Sequence, residues 1–281
     1  MTERFRLGRA GLYAFLGLGL AFMVLPIAIV VVDSFNSSSF GAWPPPGFST
    51  RWYGNLFHNA GFGGPAIRSI ELAVAATASS LVLGTLAALA IARFRFPGRR
   101  AVQGYVAAPL IVPKVAIGIA AFILFLKVGF YGSFGSLVLA HAVITLPFVI
   151  TLAVAGFARV DRMLEEAASD LGAVPRQVLL RATLPQMRGT MVAAAVFSFI
   201  ISFDELDASI FLVGQHTNTL PTAMFIYMEK YQDPTLAAVS TLLIGASLAA
   251  AAAIAFLIAR IGGLRLFAQR AGAAAALEEA V

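Results

Sequence analysis

Cysteine is absent from the 281 residues, which excludes disulfides and thiolate metal sites. Charge is scarce as well: Asp, Glu, Lys and Arg make up 12% of the chain, against about 25% in an ordinary soluble domain. No Gly-x-x-x-x-Gly-Lys-Ser/Thr segment occurs, so the chain lacks the usual backbone cradle for nucleotide phosphates. His58, His141 and His216 lie far apart and show no metal-ligand spacing. His141 falls inside an apolar run and reads as a helix-packing residue rather than a ligand. No nucleophile elbow or catalytic triad pattern is present. Metalloenzyme, ATPase and hydrolase chemistry therefore have no visible carrier in this chain.

What is abundant is apolar sequence: 59% of residues are hydrophobic and the mean hydropathy is +0.86. Six apolar runs are long enough to span about 30 Å of hydrocarbon: residues 12–32, 67–92, 105–126, 134–157, 191–213 and 236–258. The expected fold is an all-α integral membrane protein with six transmembrane helices forming one domain over residues 1–281. The first run is too long for the apolar part of a signal peptide, about 7–15 residues, and reads as an anchored helix. The tail, residues 271–281, is Ala-rich and receives no role.

Lys and Arg placement sets the orientation. Arg4, Arg6 and Arg9 precede run one; Arg93, Arg95, Arg99 and Arg100 follow run two; Arg159, Arg162, Arg176, Arg181 and Arg188 follow run four; Arg260, Arg265 and Arg270 follow run six. The loops on the opposite side hold only Arg51, Lys127 and Lys230. Both termini are therefore expected in the cytoplasm. The net charge of +6 is a topology signal, and no nucleic-acid motif competes with it.

The cytoplasmic segment 161–185 carries helical punctuation. Asp161 suits a helix N-cap, with Glu165 and Glu166 in the early turns. Gly172 suits a left-handed C-cap, Pro175 the first turn of a second short helix, and Pro185 its end. Two short helices at a bend make a knob that a partner can grip. The long outer loop, residues 33–66, contains Trp43, three prolines, and Arg51-Trp52-Tyr53; extended polyproline backbone and Trp and Tyr in the headgroup belt are expected there. Run two is rich in Ala73, Ala75, Ala76, Ala78, Ser79, Ser80 and Gly84, a composition that lets membrane helices pack closely. The segment 215–234 suits a half-inserted helix at the outer mouth.

Run five contains Ser202-Phe203-Asp204-Glu205, then Asp207. A charged residue at the centre of a span costs about 2.5–3.5 kcal/mol on insertion scales, so these carboxylates demand an explanation. On a continuous helix Asp204 and Asp207 share a face, where they line a water-filled path or pair with cations of a partner helix. Run three contains Pro109 and Pro113, which kink a helix, followed by Lys114. Lys114 either neutralises Asp204 or Glu205 or meets an anionic group on a solute.

Segment 161–185 resembles the signature loop of permease subunits of binding-protein-dependent ABC importers. Glu166-Ala167-Ala168, then Gly172, then Leu184-Pro185 stand at the family's spacing, with Ala182 where the family prefers Ile. Ser34-Phe35-Asn36, Gly47-Phe48-Ser49, Arg51-Trp52-Tyr53, Ser202-Phe203-Asp204-Glu205 and Thr219-Leu220-Pro221 resemble the spermidine/putrescine branch. The resemblance implies a type I importer permease fold in a bacterial inner (cytoplasmic) membrane. It implies a second permease subunit of similar fold, two ATP-binding subunits that hold ATP and Mg, and an outer solute-binding protein. No cofactor is expected in this chain. It further implies that Glu165, Glu166, Ala167, Ala168, Gly172, Leu184 and Pro185 couple to the ATPase. Lys114, Phe203, Asp204, Glu205 and Asp207 are expected along the substrate path. Relatives usually carry an acid where Lys114 stands, so a zwitterion such as an aminophosphonate or amino acid derivative stands beside a polyamine as the solute. The alternative function is an ion-coupled secondary transporter; a membrane enzyme and a purely structural subunit find less in the residues to carry them.

Overall fold

The computed structural model describes residues 2–58, 61–249 and 252, with side chains from residue 12 onward. Among these the regular structure is helical; the only extended pairing is an isolated bridge between Asn36 and Phe48. The tail 271–281, the basic residues Arg260, Arg265 and Arg270, and the far end of run six lie outside the described residues. Contacts group the chain into two units, residues 1–60 with 228–281 and residues 61–227.

In the first unit, α1 (Thr2–Asp33) contains the expected first span. The chain then folds over itself and enters α2 (Arg51–His58); later in the chain, after α12 (Leu220–Lys230), α13 (Thr235–Ala249) begins run six. The outer loop differs from expectation at Trp52. Trp52 is buried rather than placed in a headgroup belt, and its indole N–H donates to the Asn36 carbonyl at 2.6 Å. Asn36 in turn donates to Asp33 Oδ1 and the Ala42 carbonyl, and Ser34 meets Tyr53 at 2.8 Å. A buried indole needs such an acceptor, and Asn36 holds the turn that supplies it. Trp43 remains exposed.

The second unit is built on α3 (Gly63–Arg93), α6 (Phe134–Phe157) and α10 (Arg188–Phe203). α3 buries Ser69, Ala73, Ala76, Thr77, Ser80, Gly84 and Ala88 on one small-residue stripe. Close approach follows: a Cβ on Gly84 would lie 2.7 Å from Val149 Cγ1 of α6. Ser80 and Thr145 share a hydrogen bond of 2.7 Å across the same seam. One apolar cluster joins Ala88 and Ile91 to Ile150, Ala153, Phe157 and Met187; another joins Leu72, Leu137 and Ala140 to Phe125 and Leu212.

Runs two and four form single helices; runs three and five do not. Run three divides into α4 (Arg99–Ile111) and α5 (Lys114–Lys127), bent by 103°. Pro113 lacks an N–H, and proline bars the preceding residue from helical backbone; Val112 accordingly adopts φ −72°, ψ 130°. Run five ends as α10 at Phe203, and the helix resumes only as α11 (Ser209–Leu212). Among the described residues three helices are long and apolar enough to cross a membrane, or up to five if each bent pair counts as one span.

α5 meets the end of run five through Gly118, where an added Cβ would sit 2.6 Å from Ala208 Cα. That neighbour is backbone and cannot swing aside. Gly118→Ala should therefore destabilise the protein by about 1–3 kcal/mol, read as a lower thermal midpoint in detergent. Gly104→Ala in α4, whose Cβ would meet nothing within 4 Å, should be neutral or stabilising by up to about 1 kcal/mol.

Candidate functional site

Two places in the second unit gather the residues singled out from the sequence. The first is the knob. Asp161 accepts a hydrogen bond from Met163 N–H at 2.9 Å and caps α7 (Arg162–Asp170). Gly172 closes that helix at φ +85°. Its N–H donates to Ser169 O and that of Ala173 to Ala168 O, at 2.9 and 3.0 Å. This paired closure requires a left-handed residue, hence glycine. Pro175 opens α8 (Pro175–Val178).

Pro185 does not stop the second helix as expected. The chain widens into a π turn over Leu179–Thr183, passes through α9 (Leu184–Gln186), and turns at Met187. The physical reason is the proline ring, which clashes with the carbonyl four residues back and offers no N–H. The turn before it is widened, with Leu184 N–H reaching Leu179 O. A 76° bend then leads into α10.

Within the knob Glu165 is half-buried and fixed. Its carboxylate pairs with Arg93 at 2.8 Å and accepts from the Thr183 hydroxyl. Glu165 thus ties α7 to the end of α3 and to the π turn. Gln186 accepts from Asp161 N–H at 3.0 Å and closes the two ends of the loop together. Glu166, Ala167, Gly172 and Pro185 are exposed; Ala168 and Leu184 are half-buried. Met163, Leu164, Leu171 and Val174 present apolar surface around them. Arg93 and Thr183 were not distinguished in the sequence; the basic loop after run two disclosed Arg93 only as a topology charge.

The second place is the break between α10 and α11. Glu205 is buried there, with its side chain 1% exposed. Oε2 lies 2.7 Å from Lys114 Nζ, a contact made by charge proximity rather than by a well-aimed hydrogen bond. Oε1 accepts from Ala208 N–H at 3.0 Å. Glu205 therefore supplies a partner for backbone that the break has freed. Lys114, the first residue of α5, is 43% exposed. Each end of the ion pair thus belongs to a broken run.

Asp204 and Asp207 are both exposed, and they sit in non-helical backbone. The shared helical face expected for them does not exist, because the helix ends at Phe203 before Asp207 is reached. Phe203 is half-buried and stacks on Phe199 at 5.9 Å. The break carries Asp204, Glu205 and Asp207, of which Glu205 meets Lys114, while the knob residues form a separate group. Among the described residues no cluster of three or more His, Asp or Glu is arranged to hold a metal ion.

His141, read as a packing residue, has a more defined position. It is buried on α6, with Nδ1 2.8 Å from Ser202 Oγ and Nε2 2.8 Å from Ser209 Oγ. Those serines flank the break. Only its place in an apolar run hinted at this.

Among the described residues, helices broken inside apolar runs, with a half-buried ion pair between the breaks and a polar elbow beyond them, mark an all-helical membrane component. Residues 80–267 match the family of the binding-protein-dependent transport system inner membrane component, and the chain belongs to that family. It is 34% identical to the spermidine/putrescine transport system permease protein PotC of Haemophilus influenzae, over 84% of this chain and 91% of that one. It is 33% identical to the putrescine transport system permease protein PotI of Escherichia coli K12, over 82% of this chain and 84% of that one. The fold is similar to a chain of a bacterial ABC transporter involved in the import of alginate, with TM-score 0.70 at 15% identity, covering 89% of this chain and 95% of that one.

Removing one member of the break's ion pair should cost more than removing both. Lys114→Met strands a buried carboxylate and should destabilise by about 1–3 kcal/mol, less than a fully buried pair because the ammonium retains water. Adding Glu205→Gln should recover most of that loss in thermal unfolding of the purified protein. A double variant no more stable than Lys114→Met would show that the stranded Glu205 carboxylate carries no cost.

Proposed function

We propose that this chain is one of two permease subunits of an ABC importer, with six membrane-spanning segments forming one permease domain and both termini cytoplasmic. The Lys and Arg placement supports the orientation, and family membership supports the assembly. The cytoplasmic knob, through Glu165, Glu166, Ala167, Ala168, Gly172, Leu184 and Pro185, takes the push of two ATP-binding subunits that hold ATP and Mg. This chain itself catalyses nothing. A binding protein delivers solute from the outer side of the bacterial inner membrane. The energy that separates inward- and outward-open states comes from nucleotide binding, since a conformational bias requires differential binding to the two states. Family membership leaves the ion-coupled carrier without support.

The solute we favour is a polyamine-like cation. The observation that carries this is the pairing at the break: Lys114 is matched by Glu205, and Asp204 and Asp207 remain exposed beside them. The reversed charge at Lys114 is thereby cancelled within the protein, and the two remaining carboxylates leave the rim acidic. Phe203 adds an apolar edge suited to the methylene chain of a diamine. A zwitterion, such as an aminophosphonate, remains as a second reading because the Lys114 ammonium is partly exposed and able to meet a second anion.

Proteoliposomes holding the whole importer and its binding protein test both. Putrescine uptake is expected, with Asp204→Asn plus Asp207→Asn raising KM roughly tenfold, as loss of charge-assisted contacts would. Competition by 2-aminoethylphosphonate that exceeds competition by spermidine would favour the zwitterion. For the knob, Glu166→Lys and Gly172→Leu should each abolish uptake while membrane insertion and wild-type protein levels persist. Normal uptake by both variants would refute the coupling role.

A further inference from the structure

We propose that His141 is a positioning residue for the substrate path, holding the break of run five in the one shape that presents its carboxylates. The proposal rests on the reading of that break as part of the path. Its ground is the geometry around one imidazole. His141 is buried on α6, and both ring nitrogens are engaged, each at 2.8 Å from a serine hydroxyl. Ser202 belongs to the last turn of α10, and Ser209 begins α11. Between them lie Phe203, Asp204, Glu205 and Asp207. One side chain from a third helix therefore spans the two sides of the gap.

A serine hydroxyl both donates and accepts, so the bridge is complete with the imidazole in either tautomer. Ser202 and Ser209 are themselves buried, and water is no ready substitute if the ring is lost. The anchor behind the ring is firm. The Thr145 hydroxyl donates to the His141 carbonyl at 2.8 Å and meets Ser80 of α3 at 2.7 Å. The buried small-residue seam between α3 and α6 thus sets where the imidazole stands.

The consequence reaches the ion pair. Glu205 takes its place from the backbone between Ser202 and Ser209, with Oε1 on Ala208 N–H. Ala208 packs against Gly118 of α5, four residues beyond Lys114. Releasing the serines frees the break to shift, and the Glu205 carboxylate shifts with it relative to Lys114. Asp204 and Asp207 then lose their fixed spacing. His141 touches no part of the proposed path; it acts through the segment that does.

The test uses the complete importer, with binding protein, in proteoliposomes and radiolabelled putrescine as the probe. His141→Leu removes both hydrogen bonds, and His141→Asn keeps a donor and an acceptor on a shorter reach. For His141→Leu, KM should rise roughly five- to fiftyfold, the range that one or two lost buried hydrogen bonds permit, with assembled complex at wild-type amount. His141→Asn should recover part of that loss. The effects of His141→Leu and Ser202→Ala plus Ser209→Ala on KM should not add, since both cut the same bridge.

A residue that merely packs would lower complex yield or thermal midpoint while KM stayed at the wild-type value, and that result would overturn the proposal. Full additivity with the serine variants would overturn it too. If His141→Leu does not assemble, the paired serine variant supplies the same reading: unchanged KM there also overturns the proposal. Absence of putrescine uptake by the wild-type importer is a failure of the solute assignment instead, and it is separable. The same variants are then read through binding-protein-stimulated ATP hydrolysis, where wild-type stimulation in His141→Leu would overturn the positioning role.

Discussion

A carboxylate inside an apolar segment must be matched, and the matching of Glu205 organises much of the second unit. An unpaired buried charge costs several kcal/mol. Glu205 meets that demand twice, with Lys114 on one oxygen and the Ala208 N–H on the other. To bring these groups together, two apolar runs must break near one another. Pro113 ends α4 and places Lys114 at the head of α5; the end of α10 at Phe203 turns Glu205 inward. Gly118 lets α5 lie against Ala208 without a side chain between them. Irregular backbone in a membrane segment is tolerated where protein satisfies it, and the Glu205 carboxylate does part of that work.

Polar fastening recurs at the knob with a different result. Glu165 is held by Arg93 and Thr183, and Gln186 bonds Asp161 across the loop. These contacts join the knob to α3 rather than leaving it on a flexible tether. A force applied to α7 therefore has a path into the helix that carries the small-residue seam. The π turn at Leu179–Thr183 belongs to the same arrangement: it lies just before Pro185, and its Thr183 hydroxyl donates to Glu165. Apolar side chains at Met163, Leu164, Leu171 and Val174 stay outside this bonded frame, on the surface proposed to receive the ATP-binding subunits.

Local punctuation was readable in the residues themselves. Asp161 as a cap, Gly172 as a left-handed closure and Pro175 as a first-turn residue each depend on one residue's own backbone or hydrogen-bonding chemistry. The uninterrupted runs at α3 and α6 were equally readable, because their length and polarity suffice to specify a membrane helix. The bend at Pro113 was foreseen as a kink and is larger, since proline fixes that the helix is disturbed but not by how much. The break after Phe203 has no proline or glycine to announce it, and helical periodicity misplaced Asp204 and Asp207 as a result.

The residue order alone thus decided the class of protein, its apolar segments and the capping of the first knob helix, because lipid thickness and single-residue backbone preferences act along the chain. Only the folded arrangement decided which charges pair, that Trp52 is buried, and that His141 stands between two serines. Those outcomes depend on groups far apart in the chain, such as Lys114 and Glu205 or His141 and Ser209. A buried charge requires a partner wherever packing can bring one, and nothing in local sequence says which of several candidates arrives.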